Sequence, residues 1–484
     1  MDVMRKNMKM VYLLLGIVMV VELGSVSANV FKVHHKYGAR AERSLRSLKA
    51  HDSKRHGRML AAIDFPIGGK GRAGDSSLFF TKIGIGTPKK DYHLQVDTGS
   101  DLLWVHCAGC SSCPKETKLD IKLAQYDPKG SSTAKSVNCD GEFCTTIFNA
   151  PNSDCKEDNL CTFSITYGDG SKTGGYFVQD FIHFNQASGD LKTTFMNGNI
   201  TFGCGMEKSG EDSDEAVDGI IGFGQANTSA ISQLAAAKKV KKVFSHCLDG
   251  KEGGGIFSIG EVVKPKYSST PMLPDMPHYN VIMTGLEVGG ETIDMPPDMS
   301  ESGENSGAII DSGSTLAYLP DVLMKPMMKK ILAQQPDLKL KTLEDQFTCF
   351  PYDDDVDKAF PVVTFHFKGS VSLRVQPHDY LFPVDDDQCF GWQSSNIQSD
   401  DGKQFTLLGD LALSNKLVVY NLEDQTIGWT EYNCSSSIKV KDDHSGKEYA
   451  VASHDISTAS INSLNLAKNL GLLLMSFIVC TLMM

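Results

Sequence analysis

Two aspartates in this chain stand in matching surroundings, and together they could carry out acid–base chemistry. Asp97 follows the mostly apolar run 94–96 and begins Asp-Thr-Gly-Ser, and Asp311 follows the apolar run 308–310 and begins Asp-Ser-Gly-Ser. The glycine in each motif permits a tight turn and offers a backbone N–H to the carboxylate. If the two turns face each other, the carboxyls would share one proton, because like charges that close cannot both ionise. One member could then activate a water molecule while the other protonates a carbonyl, which would hydrolyse a peptide bond.

The elements that must position these aspartates also occur twice along the chain. After each motif comes a second apolar segment that ends in glycine, within Asp218–Gly224 and within Phe405–Asp410. A single Asp-Gly turn is structural more often than functional, but two turns with matched partners predict two similar lobes across a cleft. We place the lobe boundary near 265–285, where prolines cluster.

Most of the chain from Ser76 to Cys434 is predicted to be β-structure. Short runs rich in Val, Ile, Phe, Tyr and Thr are bounded by Gly, Asp and Asn, as strands are. Examples of these runs are Phe79–Ile85, Tyr92–Val96, Thr162–Tyr167, Asn199–Phe202, Val362–Phe367 and Lys416–Tyr420. Predicted helices are few; the clearest are Ala230–Val243 and Asp321–Gln334, the second interrupted by Pro326.

These features resemble the pepsin-like aspartic proteases over Phe79–Trp429. Within that family the chain is similar to the plant nepenthesin-like type, which has a cysteine-rich insertion, here 107–161. The resemblance implies a mainly β, bilobed acid protease fold with the active-site cleft between two similar lobes. It implies an aspartic endopeptidase of polypeptides with Asp97 and Asp311 as the catalytic pair, an acidic optimum, a preference for hydrophobic residues flanking the cut, and neither cofactor nor metal.

The same resemblance assigns supporting roles to both loops. Ser100 and Ser314 would hydrogen-bond the outer carboxylate oxygens, and Thr98 and Ser312 would tie the two loops together. Ser312 stands where the first loop has threonine, and it keeps the hydroxyl. The full set of implied support residues is Thr98, Gly99, Ser100, Ser312, Gly313 and Ser314.

A third motif resembles the flap of these enzymes. Tyr167 begins the sequence Tyr-Gly-Asp-Gly-Ser, and the resemblance implies that Tyr167 and Gly168 close over substrate. Trp104 would hold Tyr167 through its indole N–H, since a buried tryptophan needs a hydrogen-bond partner. Apart from the resemblance, Trp104 could be plain core packing and Tyr167 an ordinary strand aromatic.

Cysteine usage indicates an oxidising compartment. Of the 13 cysteines, Cys480 lies in an apolar tail, and the even number that remains predicts six disulfides. Seven lie within 107–161, so at least one bridge must leave that cluster if all pair. Spacing in the run Cys107–Cys113 could alone suggest zinc, which an oxidising compartment disfavours. Cys349 and Cys389 are expected to pair, because the second lobe of pepsin-like enzymes carries a bridge in this region.

Both ends of the chain predict processing. Residues 1–28 have the basic start, apolar run and small-residue finish of a secretory signal peptide, with a buried helix as the alternative. Residues 29–75 are expected to be a basic pro-segment held to an acidic body by charge, with a solvated tail as the alternative. Small residues, a polar spacer and the short apolar run 470–484 indicate a GPI-attachment signal, with a membrane tail anchor as the alternative. Ser457 is the expected attachment residue.

The resulting layout is a signal peptide, a pro-segment, two lobes, a flexible polar stalk and a removed tail, at 1–28, 29–75, 76–270, 271–434, 435–457 and 458–484. The enzyme would be a monomer on the outer face of the plasma membrane. The net charge of −12 argues against nucleic acid as a partner. Three sequons fit a secreted surface: Asn199, Asn227 and Asn433.

Two rival functions remain open. One is a non-enzyme with this fold, an inhibitor or receptor that has lost catalysis; such proteins typically lack an aspartate, a glycine or the flap tyrosine, all of which stand here. The other is a cell-surface structural glycoprotein, which would explain the sequons but not the internal repeat.

Overall fold

The computed structural model describes the backbone of residues 30–35 and the ranges 79–117, 119, 121–148, 159–166, 172–209, 216–250, 254–296, 307–343, 347–384, 386–395, 405–442 and 447–452. The strands in these ranges are β1 (Val30–His35), β2 (Phe79–Ile85), β3 (Lys90–Asp97), β4 (Trp104–His106), β5 (Lys135–Ser136), β6 (Thr162–Thr166), β7 (Lys172–Gly189), β8 (Lys192–Ser209), β9 (Gly219–Gly222), β10 (Val243–Leu248), β11 (Gly255–Ile259), β12 (Glu261–Lys264), β13 (Ser268–Pro271), β14 (Asn280–Val288), β15 (Glu291–Ile293), β16 (Gly307–Ile310), β17 (Ala317–Pro320), β18 (Lys341–Leu343), β19 (Phe347–Pro351), β20 (Val363–Phe367), β21 (Val371–Val375), β22 (Leu381–Val384), β23 (Asp387–Phe390), β24 (Trp392–Ser395), β25 (Thr406–Leu408), β26 (Lys416–Asn421), β27 (Thr426–Glu431), β28 (Ser437–Lys441) and β29 (Glu448–Ala452). The α-helices are α1 (Ala230–Ala236), α2 (Asp321–Ala333), α3 (Val356–Ala359), α4 (Pro377–Tyr380) and α5 (Asp410–Leu413), with a 3₁₀ turn at Pro128–Gly130 and a π-helical turn at Phe143–Ile147.

The predicted mainly β, two-lobed fold is confirmed, and the same strand arrangement carries each aspartate. In the first lobe β9 lies between β3 and β4, parallel to β3, with Asp97 opposite Gly222. In the second lobe β25 lies between β16 and β17 in the same way. A Cβ atom at Gly222 or Gly409 would overlap backbone atoms of the segment that follows the aspartate, so both crossings require glycine.

Both predicted helices are found, and each ends earlier than the sequence predicts. The helix expected over Ala230–Val243 ends at Ala236, because Lys238 adopts a left-handed backbone conformation and Val243 already belongs to β10. Pro326 does not interrupt α2, whose stripe Leu323, Met327 and Ile331 is fully buried and holds the helix against the lobe. Within the described ranges, none of the helices is both long and apolar enough to cross a membrane.

A sheet shared by both halves of the chain joins the lobes. Strand β10 pairs with β11 on one side and with β26 on the other, and β26 continues to β27 and β13. Because side chains alternate along a strand, this joining sheet has two apolar faces. We call the face carrying Phe244, Phe257 and Tyr420 the front face, and the face carrying Val243, Cys247, Leu417 and Val419 the rear face.

The stretch after Cys434 was predicted to be a flexible stalk, but its described part is folded. Strands β28 and β29 pair as a hairpin, and β28 also pairs with β12. Ile438, Val440 and Val451 are buried against the rear face, so an apolar stripe within a polar segment makes it part of the folded body. The tip of the β7–β8 hairpin also contacts β29, since Leu191 N–H donates to the Ala450 carbonyl at 3.0 Å.

Backbone pairing links the predicted pro-segment to the lobes at one place. Residues 30–32 of β1 pair with β11, and residues 33–35 pair with β2. Strand β1 therefore lies between the joining sheet and the first lobe. The rest of 29–75 lies outside the described residues.

Disulfides connect distant parts of the chain, as the cysteine content predicts. The bridges given for the described residues are Cys107–Cys204, Cys110–Cys113, Cys144–Cys161, Cys247–Cys434 and Cys349–Cys389, and Cys139 is also disulfide-bonded. Cys107–Cys204 is a bridge that leaves the cysteine cluster. All three sulfurs of the zinc-like run are taken up by disulfides.

Candidate active site

Asp97 ends β3 and is held by its own loop. Its carboxylate is 1% exposed. Gly99 N–H donates to Asp97 Oδ1 at 2.8 Å, and the Ser100 hydroxyl donates to Asp97 Oδ2. Both oxygens therefore accept a hydrogen bond from a donor within three residues, which fixes the orientation of the carboxylate.

Asp311 repeats this geometry at the end of β16. Gly313 N–H donates to Asp311 Oδ1 and the Ser314 hydroxyl donates to Asp311 Oδ2, each at 2.8 Å. Asp311 is fully buried. The roles that the resemblance implied for the two serines and two glycines match the hydrogen bonds found at both carboxylates.

Loop-to-loop contact brings the two aspartates to one site. A Cβ atom at Gly99 would lie 2.6 Å from Asp311 Oδ1, so the backbone of the first loop lies against the second carboxylate. Ser312 N–H donates to Thr98 Oγ1 at 2.9 Å. Together these contacts fix the distance between the loops.

Thr98 and Ser312 tie the two loops together as expected, through one side chain and one backbone group. Thr98 contributes its hydroxyl, but Ser312 contributes its backbone N–H, and the buried Ser312 Oγ has no hydrogen-bond partner among the described residues. Serine keeps the hydroxyl, as the sequence shows, but it lacks the methyl group that restricts the χ1 angle of threonine. The expected tie between Thr98 and Ser312 is therefore present, with Ser312 contributing its backbone N–H.

Each loop is supported from below by the crossing strand. Phe223 N–H donates to the Asp97 carbonyl at 2.8 Å, and Asp311 N–H donates to the Leu408 carbonyl at 3.1 Å. The buried Tyr279 hydroxyl donates to the Phe223 carbonyl at 2.6 Å. Because Tyr279 directly precedes β14, this bond anchors the segment beneath the first loop to the second lobe. Burial raises the pKa of Tyr279 well above its usual value, so it remains a donor.

Sequence reasoning missed the residues of the joining sheet that lie beneath this site. Tyr420 Oη lies 3.0 Å from His246 Nε2, and the Tyr420 hydroxyl also hydrogen-bonds the Thr98 side chain. Burial lowers the pKa of His246 to about 3. His246 and Tyr420 are 174 positions apart, and nothing in the local pattern of either strand signals that they meet.

The flap residues Tyr167 and Gly168 lie outside the described residues, so their predicted roles stay predictions. Trp104, the predicted partner of Tyr167, is buried in β4 with its ring edge-on to His106. His106 Nδ1 lies 3.0 Å from Cys113 Sγ, and burial lowers the His106 pKa to about 3. This histidine is thus neutral above that pH and contacts the Cys110–Cys113 disulfide.

The remaining predicted site residues are three sequon asparagines, one disulfide pair and the anchor residue. Asn199, Asn227 and Asn433 are all exposed, which leaves room for glycans. The bridge Cys349–Cys389 joins β19 to β23, where the two residues are directly paired. Ser457 lies outside the described residues. Among the residues that are described, no group of three or more His, Cys, Asp or Glu side chains could hold a metal ion.

Comparison with known proteins adds independent information. The family described as "Xylanase inhibitor N-terminal" matches residues 79–261, and "Xylanase inhibitor C-terminal" matches residues 278–431. "Aspartic proteinase 36" of Arabidopsis thaliana is 49% identical, covering 93% of this chain and 94% of that protein. "Aspartic proteinase 39" of Arabidopsis thaliana is 47% identical, covering 91% and 92%. "Aspartic proteinase nepenthesin-2" of Nepenthes gracilis is 25% identical, covering 82% and 85%.

Proposed function

This chain belongs to the pepsin-like plant aspartic proteinase family and is an aspartic-type endopeptidase, and from that premise we propose that Asp97 and Asp311 are its catalytic pair. The observation that carries the proposal is the matched support of the two carboxylates. Each one accepts from a glycine N–H and a serine hydroxyl of its own loop, and the second lies against Gly99 of the first.

In the proposed reaction the pair acts on water and on the substrate carbonyl. The ionised carboxylate takes a proton from water as the water oxygen bonds to the carbonyl carbon. The protonated carboxyl donates its proton to the carbonyl oxygen, so no charge accumulates there. The C–N bond then breaks as the amide nitrogen takes the proton that the first carboxylate received from water, while one hydroxyl of the tetrahedral intermediate gives its proton to the other carboxylate, so the pair again holds one proton. No covalent bond forms between enzyme and substrate.

A direct test uses the purified protein after acid treatment. A denatured protein is incubated with it at several pH values, with and without pepstatin, a transition-state analogue for aspartic proteases. Cleavage that pepstatin blocks is the expected result. Absence of cleavage at every pH would favour the rival function, a protein that keeps this fold without catalysis. That rival is worth testing because both matching family models are described as xylanase inhibitor domains.

An acidic optimum and a preference for hydrophobic residues on both sides of the cut complete the proposal. The shared proton supports the first, because the pair stops working once that proton leaves. The apolar cleft walls common in the family support the second. A peptide library digested near pH 3–5 and sequenced by mass spectrometry would expose the preference; cleavage without side-chain bias would refute it.

We further propose that residues 29–75 are a pro-segment that masks the enzyme until acidification. Strand β1 supports this by pairing with β11 and β2, and its basic surroundings would lose attraction once acidic partners protonate. Phe31→Pro removes a backbone N–H within β1 and should speed release of the segment, whereas the control His34→Ala keeps the backbone N–H. Equal release rates would contradict this part.

The proposed setting is the secretory pathway, with a cysteine-rich insertion of the nepenthesin-like type at 107–161, glycans at the three sequons, and a GPI anchor at Ser457. The disulfides within and around the insertion and the exposure of the sequon asparagines support this setting. A monomer tethered to the plasma membrane is the form we propose. Phosphatidylinositol-specific phospholipase should shed the protein from intact cells; retention while a known lipid-anchored control is shed would refute the anchor.

A further inference from the structure

Two buried polar side chains lie beneath the aspartate loops and have no part in the reaction as described. His246 of β10 and Tyr420 of β26 are both fully buried on neighbouring strands of the joining sheet. Tyr420 Oη lies 3.0 Å from His246 Nε2. A buried histidine and a buried hydroxyl each cost stability unless they are paired, so this pair in an apolar sheet needs an explanation.

The hydrogen bonds of this pair lead to the contact between the two lobes. The Tyr420 hydroxyl meets the Thr98 side chain, and Thr98 Oγ1 accepts from Ser312 N–H at 2.9 Å. A continuous chain of hydrogen bonds therefore runs from His246 through Tyr420 and Thr98 to the loop of Asp311. Thr98 also directly follows Asp97, so one hydroxyl joins both loops.

In the tie between the loops, Thr98 supplies its side-chain hydroxyl and Ser312 supplies its backbone N–H. The Ser312 hydroxyl, which could make the matching bond from the other side, has no partner among the described residues. If Thr98 rotated about χ1, the bond from Ser312 N–H would be lost and the loops would be free to shift. The hydrogen bond in which the Thr98 hydroxyl donates to Tyr420 Oη restricts that rotation.

We propose that Tyr420 and His246 are positioning residues, which hold the Thr98 hydroxyl and thereby keep the two catalytic loops in register. The inference rests on the proposed catalytic role of Asp97 and Asp311. Burial keeps His246 neutral over most of the pH range, so it can accept from Tyr420 through Nε2. Its Nδ1 has no hydrogen-bond partner in the described part of the chain, so the bond between Nε2 and Tyr420 is what holds the imidazole ring in its orientation.

Packing allows the hydroxyl to be removed without removing the ring. The Tyr420 ring stacks on Phe244 with centroids 4.6 Å apart and meets Tyr279 at 4.7 Å. Phenylalanine at 420 would keep these contacts. Tyr380 offers a matched control, because it is equally buried and its hydroxyl donates to the Pro361 carbonyl at 2.7 Å, far along the chain from either loop.

The test compares full-length, acid-activated Tyr420→Phe with Tyr380→Phe on a peptide substrate. Tyr420→Phe loses the hydrogen bonds to His246 and Thr98 and Tyr380→Phe loses the one to Pro361, so both should unfold at a somewhat lower temperature. Only Tyr420→Phe should lose kcat, by about tenfold, with KM changed less than about twofold. His246→Leu should lower kcat in the same direction, and it carries the test if Tyr420→Phe fails to fold.

Rescue separates positioning from general destabilisation. Ser312→Thr restricts the hydroxyl of the second loop and should restore the missing half of the tie, so it should recover kcat in the Tyr420→Phe background without raising the unfolding temperature to match. Equal kcat for Tyr420→Phe and Tyr380→Phe would overturn the inference, as would no recovery. The activities of the unaltered enzyme and Asp97→Asn judge the proposed function separately: an active enzyme that Asp97→Asn inactivates leaves that function standing even if the positioning inference falls, whereas an inactive enzyme overturns both.

Discussion

Gly99 lies directly against the Asp311 carboxylate, with only 2.6 Å between Asp311 Oδ1 and the position a Cβ atom would take at Gly99. Real Cβ atoms do not approach an oxygen that closely, so Gly99→Ala must displace either the first loop or Asp311. Displacement of a reacting group by about 1 Å can cost about 100-fold in rate. We therefore expect kcat/KM to fall by about 10- to 100-fold in a peptide-cleavage assay.

Gly285→Ala is the control for that substitution. A Cβ at Gly285 would meet the His366 ring at 3.5 Å, an ordinary contact, and β14 there is remote from both loops in sequence. We expect its activity to be unchanged. Wild-type activity in Gly99→Ala would show that the loops are not packed as described.

Replacement of either aspartate by asparagine should abolish cleavage. Asparagine has nearly the shape of aspartate but cannot exchange the proton that the reaction needs, and loss of acid–base catalysis costs about 10²- to 10⁴-fold. Thermal unfolding of Asp97→Asn and Asp311→Asn should still show a cooperative transition. The exposed Asp353→Asn serves as the control and should keep full activity. Substantial activity in either loop variant would remove that residue from the catalytic pair.

Activity should fall as the pH rises toward neutrality. The proposed reaction needs one of the two carboxyls in its protonated form, because that form donates to the carbonyl oxygen. Because loss of a proton stops the reaction, the high-pH limb of kcat should follow one ionisation. Initial rates between about pH 3 and 8 on one peptide would measure it. A rate that stays level across this range would contradict a shared proton.

Removal of the bridge Cys349–Cys389 should destabilise the second lobe without abolishing chemistry. The bridge closes a loop of 40 residues, and the chain-entropy relation assigns such a loop about 4 kcal/mol of the free energy of unfolding. The double variant Cys349→Ala, Cys389→Ala should therefore unfold at clearly lower denaturant concentration. Cys110–Cys113 spans only 3 positions, so its removal should cost far less, about 1.5 kcal/mol. Equal losses for the two double variants would contradict this ranking.

Local patterns predicted the parts of the fold that local patterns can encode. The strand expected at Phe79–Ile85 is found with those bounds, and both aspartates lie where an apolar strand ends. The predicted helix over Ala230–Val243 was too long, because the left-handed residue Lys238 and the pairing of β10 with β11 override its helical spacing. The β28–β29 hairpin was not predicted because the segment is mostly polar. Its few apolar residues stabilise it only by packing against the rear face, which forms from distant parts of the chain.

The candidate site shows the same division. The hydrogen bonds within each aspartate loop span two or three positions, and the motif predicts them. The one-sided tie at Ser312 could not be predicted, since serine and threonine carry the same hydroxyl and differ only in how freely it rotates. The meeting of His246 and Tyr420 depends on the pairing of strands from opposite lobes, which no spacing in either strand records.

The β28–β29 hairpin also determines on which side of the folded body the described chain ends. It covers the rear face of the joining sheet, while Tyr420 on the front face reaches the loop of Asp97. Ala452, the last residue described, therefore leaves the body on the side turned away from the aspartates. A tether joined to the chain beyond Ala452, such as the proposed anchor, would therefore begin on the opposite side of the joining sheet from the aspartate loops.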